Sequence, residues 1–112
     1  MIAIIDYGAG NLQSVKKALD FIGADSLVTS RASEIENASA CILPGVGSFG
    51  DAMNCMTESG LCEVVKKAAL GSKPFLGICL GLQLLFDSSE ESPGVSGLGI
   101  LKGKVKRFPS RS

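Results

Sequence analysis

Histidine is absent from all 112 residues. A cysteine nucleophile in this stretch would therefore have no imidazole of its own to move protons to and from a substrate. Net charge is missing too, because eleven basic side chains balance eleven acidic ones. That balance argues against a general binder of nucleic acid or membrane surface. The local excess of cations from Lys102 to Arg111 reads as a solvated edge. No apolar run reaches the length of a membrane span. Met1 opens straight into an apolar strand without a basic leader, so no signal peptide is expected. Cys41, Cys55, Cys62 and Cys79 form no C-x-x-C pair. A reducing cytoplasm is thus the expected setting, with no disulfide and no metal site. Repeats and low-complexity segments are also missing. A dinucleotide fingerprint starts at Gly8-Ala9-Gly10 and fails at Gln13, where a third glycine would be required.

What is present is an alternation of short apolar runs and helical patterns, in a chain long enough for one domain. Met1 to Asp6 reads as a buried parallel strand. Asn11 can cap a helix carrying Leu12, Val15, Leu19 and Ile22, which Gly23 ends. Ser26 to Thr29 is a second strand. Ser33 and Glu36 have capping-box spacing for a short helix ending near Ala38. Ala40 to Leu43 is a third strand, with Cys41 as a small core residue. Helices are expected over Asp51 to Glu58 and Leu61 to Leu70, where Cys55 and Cys62 are structural. A fourth strand follows at Phe75. Asp87 to Gly97 reads as loop, and Ile100–Leu101 and Lys104–Phe108 as strand-like pieces. This order predicts an α/β fold: a doubly wound, mostly parallel sheet with helices on both faces. Strand order is not legible.

Two stretches carry chemistry. The first is Gly77-Ile78-Cys79-Leu80-Gly81, a G-x-C-x-G pattern between an apolar strand and a helix with Leu82, Leu85 and Phe86 on one side. It is the thiol form of the nucleophile elbow, a sharp turn that lifts one side chain out of the sheet. Small residues two positions away let strand and helix approach. The first helical turn favours a thiolate and offers N–H groups to an oxyanion. A buried structural cysteine beside packing glycines is the plainer reading, and strand, glycines and helix together weigh against it. The second stretch, Pro44-Gly45-Val46-Gly47-Ser48-Phe49-Gly50, holds three glycines after a buried strand. Such a loop offers backbone N–H groups at the carboxyl end of a strand, where open α/β sheets bind ligands.

With both loops in view, the chain resembles the class I (triad) glutamine amidotransferases. Within them it is similar to the glutaminase-subunit family of imidazole glycerol phosphate synthase, which serves histidine biosynthesis. The carrying blocks are Asp6 to Asn11, Leu43 to Met53, Pro74 to Phe86 and Gly97 to Gly103, so the likeness runs from Met1 to about Phe108. The resemblance implies that Cys79 attacks the side-chain amide of glutamine. It implies an oxyanion hole from Leu80 and the Val46–Gly47 segment, with Gly45 and Gln83 holding the substrate. It implies no cofactor, and a cyclase subunit that receives the ammonia. The loop from Tyr7 to Asn11 is a candidate for the surface facing that partner. The family completes its triad with a histidine and a glutamate on a later segment, so residues 1–112 are expected to form the amino-terminal part of one amidotransferase domain, inactive alone. Two alternatives remain: a non-catalytic doubly wound binding module whose elbow is a relic, and another class I amidotransferase. A different cysteine hydrolase on a similar sheet is disfavoured by the Pro44 to Met53 loop.

Overall fold

The structure is a computed structural model of the chain. It describes residues 1–9, 11–78, 80–86, 88–89, 96–99 and 104–105. Four strands form a parallel sheet: β1 (Ile2–Ile5), β2 (Ser26–Thr29), β3 (Ala40–Leu43) and β4 (Phe75–Gly77). Their spatial order is β2-β1-β3-β4. Helix α1 (Leu12–Phe21) joins β1 to β2, and α2 (Ala32–Asn37) joins β2 to β3. Helices α3 (Phe49–Ser59) and α4 (Cys62–Leu70) join β3 to β4, and α5 (Leu80–Leu84) follows β4. The chain moves one way across the sheet from β1 to β2 and the other way thereafter. With right-handed crossovers, that reversal places α1 on one face and α2 to α4 on the other. The expected doubly wound architecture is present. Its switch point lies between β1 and β3, and a crevice opens there at the strands' carboxyl ends.

Alternation along the strands separates two packing faces. Ala3, Ile5, Tyr7, Cys41 and Leu43 join the main core with Ile35 of α2, Phe49, Ala52, Met53 and Met56 of α3, and Val64, Val65 and Ala68 of α4. The opposite face is covered unevenly. Val28, Ile4, Ile42 and Leu76 lie in one row across the sheet by register. Ile4 is 0 % exposed and Ile42 7 %, whereas Leu76 on the edge strand is 55 % exposed. Helix α1 roofs only the β2–β1 side, and no residue of α1 is itself buried.

Local signals explain most element ends. Asn11 caps α1, its side-chain oxygen accepting from the Ser14 N–H at 3.4 Å. Gly23 follows that helix at φ +77°, in the left-handed region that glycine tolerates. Ser48 caps α3 by accepting from the Asp51 N–H at 3.1 Å. The expected capping box of Ser33 and Glu36 does not form. α2 starts at Ala32 with Arg31 as its N-cap, which puts Ser33 inside the helix. The Thr29 hydroxyl instead donates to the Glu34 carboxylate and accepts from the Arg31 N–H at 3.0 Å. The end of β2 thereby supplies the side chain that organises this entry. Within the expected Asp87 to Gly97 loop, Ser88–Ser89 is a two-residue strand, β5, paired in parallel with β6 (Lys104–Val105). The strand-like reading of Ile100–Leu101 and most of 104–108 lies outside the described residues.

Candidate active site

The elbow and the glycine loop meet at the carboxyl end of β3. The Leu43 carbonyl accepts from the Ile78 N–H at 3.0 Å, which ties the start of the elbow to β3. The Gly81 N–H then donates back to the Ile78 carbonyl at 2.9 Å, turning the chain into α5. A Cβ on Gly81 would stand 1.9 Å from the Leu43 carbonyl oxygen and 2.8 Å from its carbon. No side chain fits there. The small-residue requirement read from the G-x-C-x-G spacing therefore holds at Gly81 for the reason given: helix and strand backbones touch. Cys79 itself lies outside the described residues. Leu80 opens α5, so its N–H stands in the first turn, where a helix has no internal acceptor.

The other end of α5 is also held. Leu84 and Leu85 are buried, while Phe86 is half-buried. The chain turns at Leu85, so Leu84 takes part of the packing role expected of Leu85 and Phe86. The Leu98 N–H donates to the Leu84 carbonyl at 2.8 Å, and the Gly99 N–H to that of Phe86 at 3.2 Å. A Cβ on Gly97 would meet the Phe86 carbonyl oxygen at 2.1 Å and the Phe49 ring at 2.9 Å. A later segment thus clamps the elbow helix onto α3. The sequence offered no sign of this contact beyond the glycines of Gly97-Leu98-Gly99.

The loop departs from the same strand end. Pro44 and Gly45 are buried, while Val46 and Gly47 are exposed. Gly47 has φ +86°, which a side chain would strain. Among the described residues, the backbone groups of Gly45, Val46 and Gly47 have no hydrogen-bond partner. Gly45 and Val46 also line a mostly apolar cavity of about 180 Å³ with Asn11, Ser14, Val15, Pro44 and Ile78. Gln83, on α5, is half-buried, and its side-chain oxygen is buried without a hydrogen-bond partner among the described residues. Sequence reasoning thus grouped Gly45, Val46, Gly47, Leu80 and Gln83 on segments that meet at β3.

Two side chains behave differently from a surface reading. Tyr7 turns inward, only 2 % exposed, and its hydroxyl donates to the Pro44 carbonyl at 2.7 Å. Burial foremost, and then the neighbouring Cys55 thiol, push its phenol up to about 12. Gly8 and Asn11 remain exposed in the loop read as partner-facing. Lys73 lies at the amino end of β4, where its ammonium donates to the Ile35 carbonyl at 3.2 Å and to the Glu36 carbonyl. It is committed to the end of α2, at the end of the sheet opposite the elbow. Cys41 is buried in β3, and Cys55 and Cys62 are half-buried on α3 and α4.

Residues 3–109 match the family model described as glutamine amidotransferase class-I. The chain belongs to this family. Among curated relatives, imidazole glycerol phosphate synthase subunit HisH of Geobacillus kaustophilus is 53% identical over 109 residues, covering 97% of this chain and 52% of its own. The HisH subunit of Methanothermobacter thermautotrophicus is 55% identical over 109 residues, with 97% and 54% covered. The chain therefore spans about half the length of the curated relatives it matches. A solved structure described as a crystal structure of glutamine amidotransferase superposes with a TM-score of 0.77 at 24% identity, covering 96% of this chain and 57% of that one. The class I amidotransferase fold is thus shared across the described sheet. No helix among the described residues is long and apolar enough to cross a membrane.

Proposed function

We propose that this class I amidotransferase chain supplies the nucleophile and oxyanion half of a glutaminase subunit of the imidazole glycerol phosphate synthase type. The observation that carries this reading is the contact of Gly81 with the Leu43 carbonyl, which holds the elbow against the departing Pro44–Gly47 loop. The Cys79 thiolate attacks the side-chain carbonyl carbon of glutamine. The oxyanion is held by N–H groups of Leu80 and of the Val46–Gly47 segment. Collapse expels the amide nitrogen as ammonia once it gains a proton, leaving a glutamyl thioester. Water then cleaves the thioester, giving glutamate and returning the thiol. Gly45 and Gln83, whose side-chain oxygen has no hydrogen-bond partner among the described residues, would hold the substrate glutamine.

The acid and base for these steps lie outside a chain without histidine. On this reading residues 1–112 form the amino-terminal part of a single domain, working in the cytoplasm with a cyclase subunit that consumes the ammonia. The test joins residues 1–109 to the remaining part of the Geobacillus kaustophilus relative and measures ammonia from glutamine, with and without that organism's cyclase. The expected result is turnover that rises with cyclase and disappears in Cys79→Ala. A folded chimera without glutamine-dependent ammonia release would reject the reading in favour of a binding module.

A further inference from the structure

We infer that Tyr7 is a positioning residue for the oxyanion loop, its hydroxyl fixing the peptide plane from which the loop departs. This rests on the glutaminase reading. Leu43 and Pro44 carry the last two carbonyls before the loop. The first is taken by the Ile78 N–H of the elbow at 3.0 Å, the second by the Tyr7 hydroxyl at 2.7 Å. Beyond Pro44, the backbone of Gly45, Val46 and Gly47 has no partner among the described residues. The Tyr7 contact is therefore the last tie before the loop enters the site.

The covalent geometry makes this tie effective. The pyrrolidine ring of Pro44 fixes its φ. One soft torsion, the ψ of Pro44, then remains between β3 and the Gly45 peptide. The Pro44 carbonyl and the Gly45 N–H share that planar peptide and point in opposite directions. A donor that holds the oxygen toward β1 thus also sets the direction of the Gly45 N–H and the course of Val46 and Gly47. Burial keeps the phenol protonated to about 12, so it remains a donor at any ordinary pH. A phenylalanine would fill the same core space without the donor that holds the Pro44 carbonyl.

Tyr7→Phe separates the hydroxyl from the ring. In the 112-residue chain, the amide nitrogen resonance of Gly45 should move in the variant, because it reports the hydrogen bond at the preceding carbonyl. Resonances from the middle of β1 and β3 should stay in place. An unmoved Gly45 resonance overturns the proposal without reference to activity. In the 1–109 chimera, kcat for glutamine should fall about 10-fold to 100-fold, as misplaced catalytic groups typically cost, while KM stays within a factor of about two. A variant with a lower melting temperature and full kcat overturns the positioning role alone. A folded parent chimera inert toward glutamine overturns the glutaminase reading, and this role with it.

Discussion

The Leu43 carbonyl and Gly81 are in backbone contact: a Cβ at position 81 would stand 1.9 Å from that oxygen. The obstacle is main chain in the middle of a sheet, so it cannot swing aside. Gly81→Ala must therefore lift α5 away from β3. Overpacking of this kind typically costs about 1–3 kcal/mol. The expected outcome is a lower denaturation midpoint together with slower labelling of Cys79 in the chimera by an electrophilic glutamine analogue. Wild-type stability and labelling in the alanine variant would contradict the contact.

Tyr7 is the single tyrosine of the chain, so phenolate absorbance reports it alone. Its phenol is pushed up from 10.0 to about 12 by burial first and by Cys55 second. Between those values the unfolded chain has released the proton and the folded chain still holds it. The stabilisation is full below pH 10 and is lost as pH rises through about 12. A native-state alkaline titration should show delayed phenolate formation. Tyr7→Phe should lose this part of the fall in stability with pH. A native midpoint near 10.0 would refute the burial argument.

The cysteines should divide by setting. Cys41 is 1 % exposed, and burial pushes its thiol up against a smaller lowering by Lys73. A neutral thiol reagent should reach it only through unfolding, and reach Cys55 and Cys62 sooner. In the chimera a glutamine analogue should label Cys79 alone. The 112-residue chain by itself should release no ammonia from glutamine, since it has no histidine and Lys73 is bound at the other end of the sheet. A positioned acid/base contributes typically about 10²–10⁴-fold. Turnover by the 112-residue chain near that of the chimera would overturn this expectation.

Ile42 and Leu76 are register neighbours, yet one is 7 % exposed and the other 55 %. Among the described residues β4 is the outer strand and leaves this end of the apolar row uncovered, a surface that invites self-association. Leu76→Lys should weaken it about 10-fold, the equivalent of one modest apolar burial. Sedimentation equilibrium checks this. Equal association by both chains would show that the contact lies elsewhere.

The legible parts of this molecule were those whose reasons are local. Gly81 could be read because a strand, a glycine and a helix lie within a few residues, and their spacing dictates close approach. Asn11 could be read as a cap because its target is three residues on. Tyr7 could not, because its acceptor is a backbone carbonyl 37 residues away. The entry to α2 was misread for a related reason: Ser33 and Glu36 had the right spacing, but Thr29 at the end of β2 had the better geometry. Strand β5, two residues long, carries no periodicity to read, whereas β6 falls inside the piece Lys104–Phe108 read as strand-like. Strand order required the tertiary structure.

Helix α1 adds a kinetic consequence. No residue of α1 is itself buried, so its separation from β1 and β2 uncovers chiefly the Ile4 row of the sheet, a smaller apolar surface than the core packed on the other face. Such a segment opens at a free energy well below that of global unfolding. Its amides should exchange with deuterium from a locally opened state, insensitive to low denaturant, while those of β1 and β3 wait for the whole sheet to come apart. A protease should find the same helix first. The two faces of one sheet would then report two different stabilities, and exchange uniform across α1, β1 and β3 would show a single one.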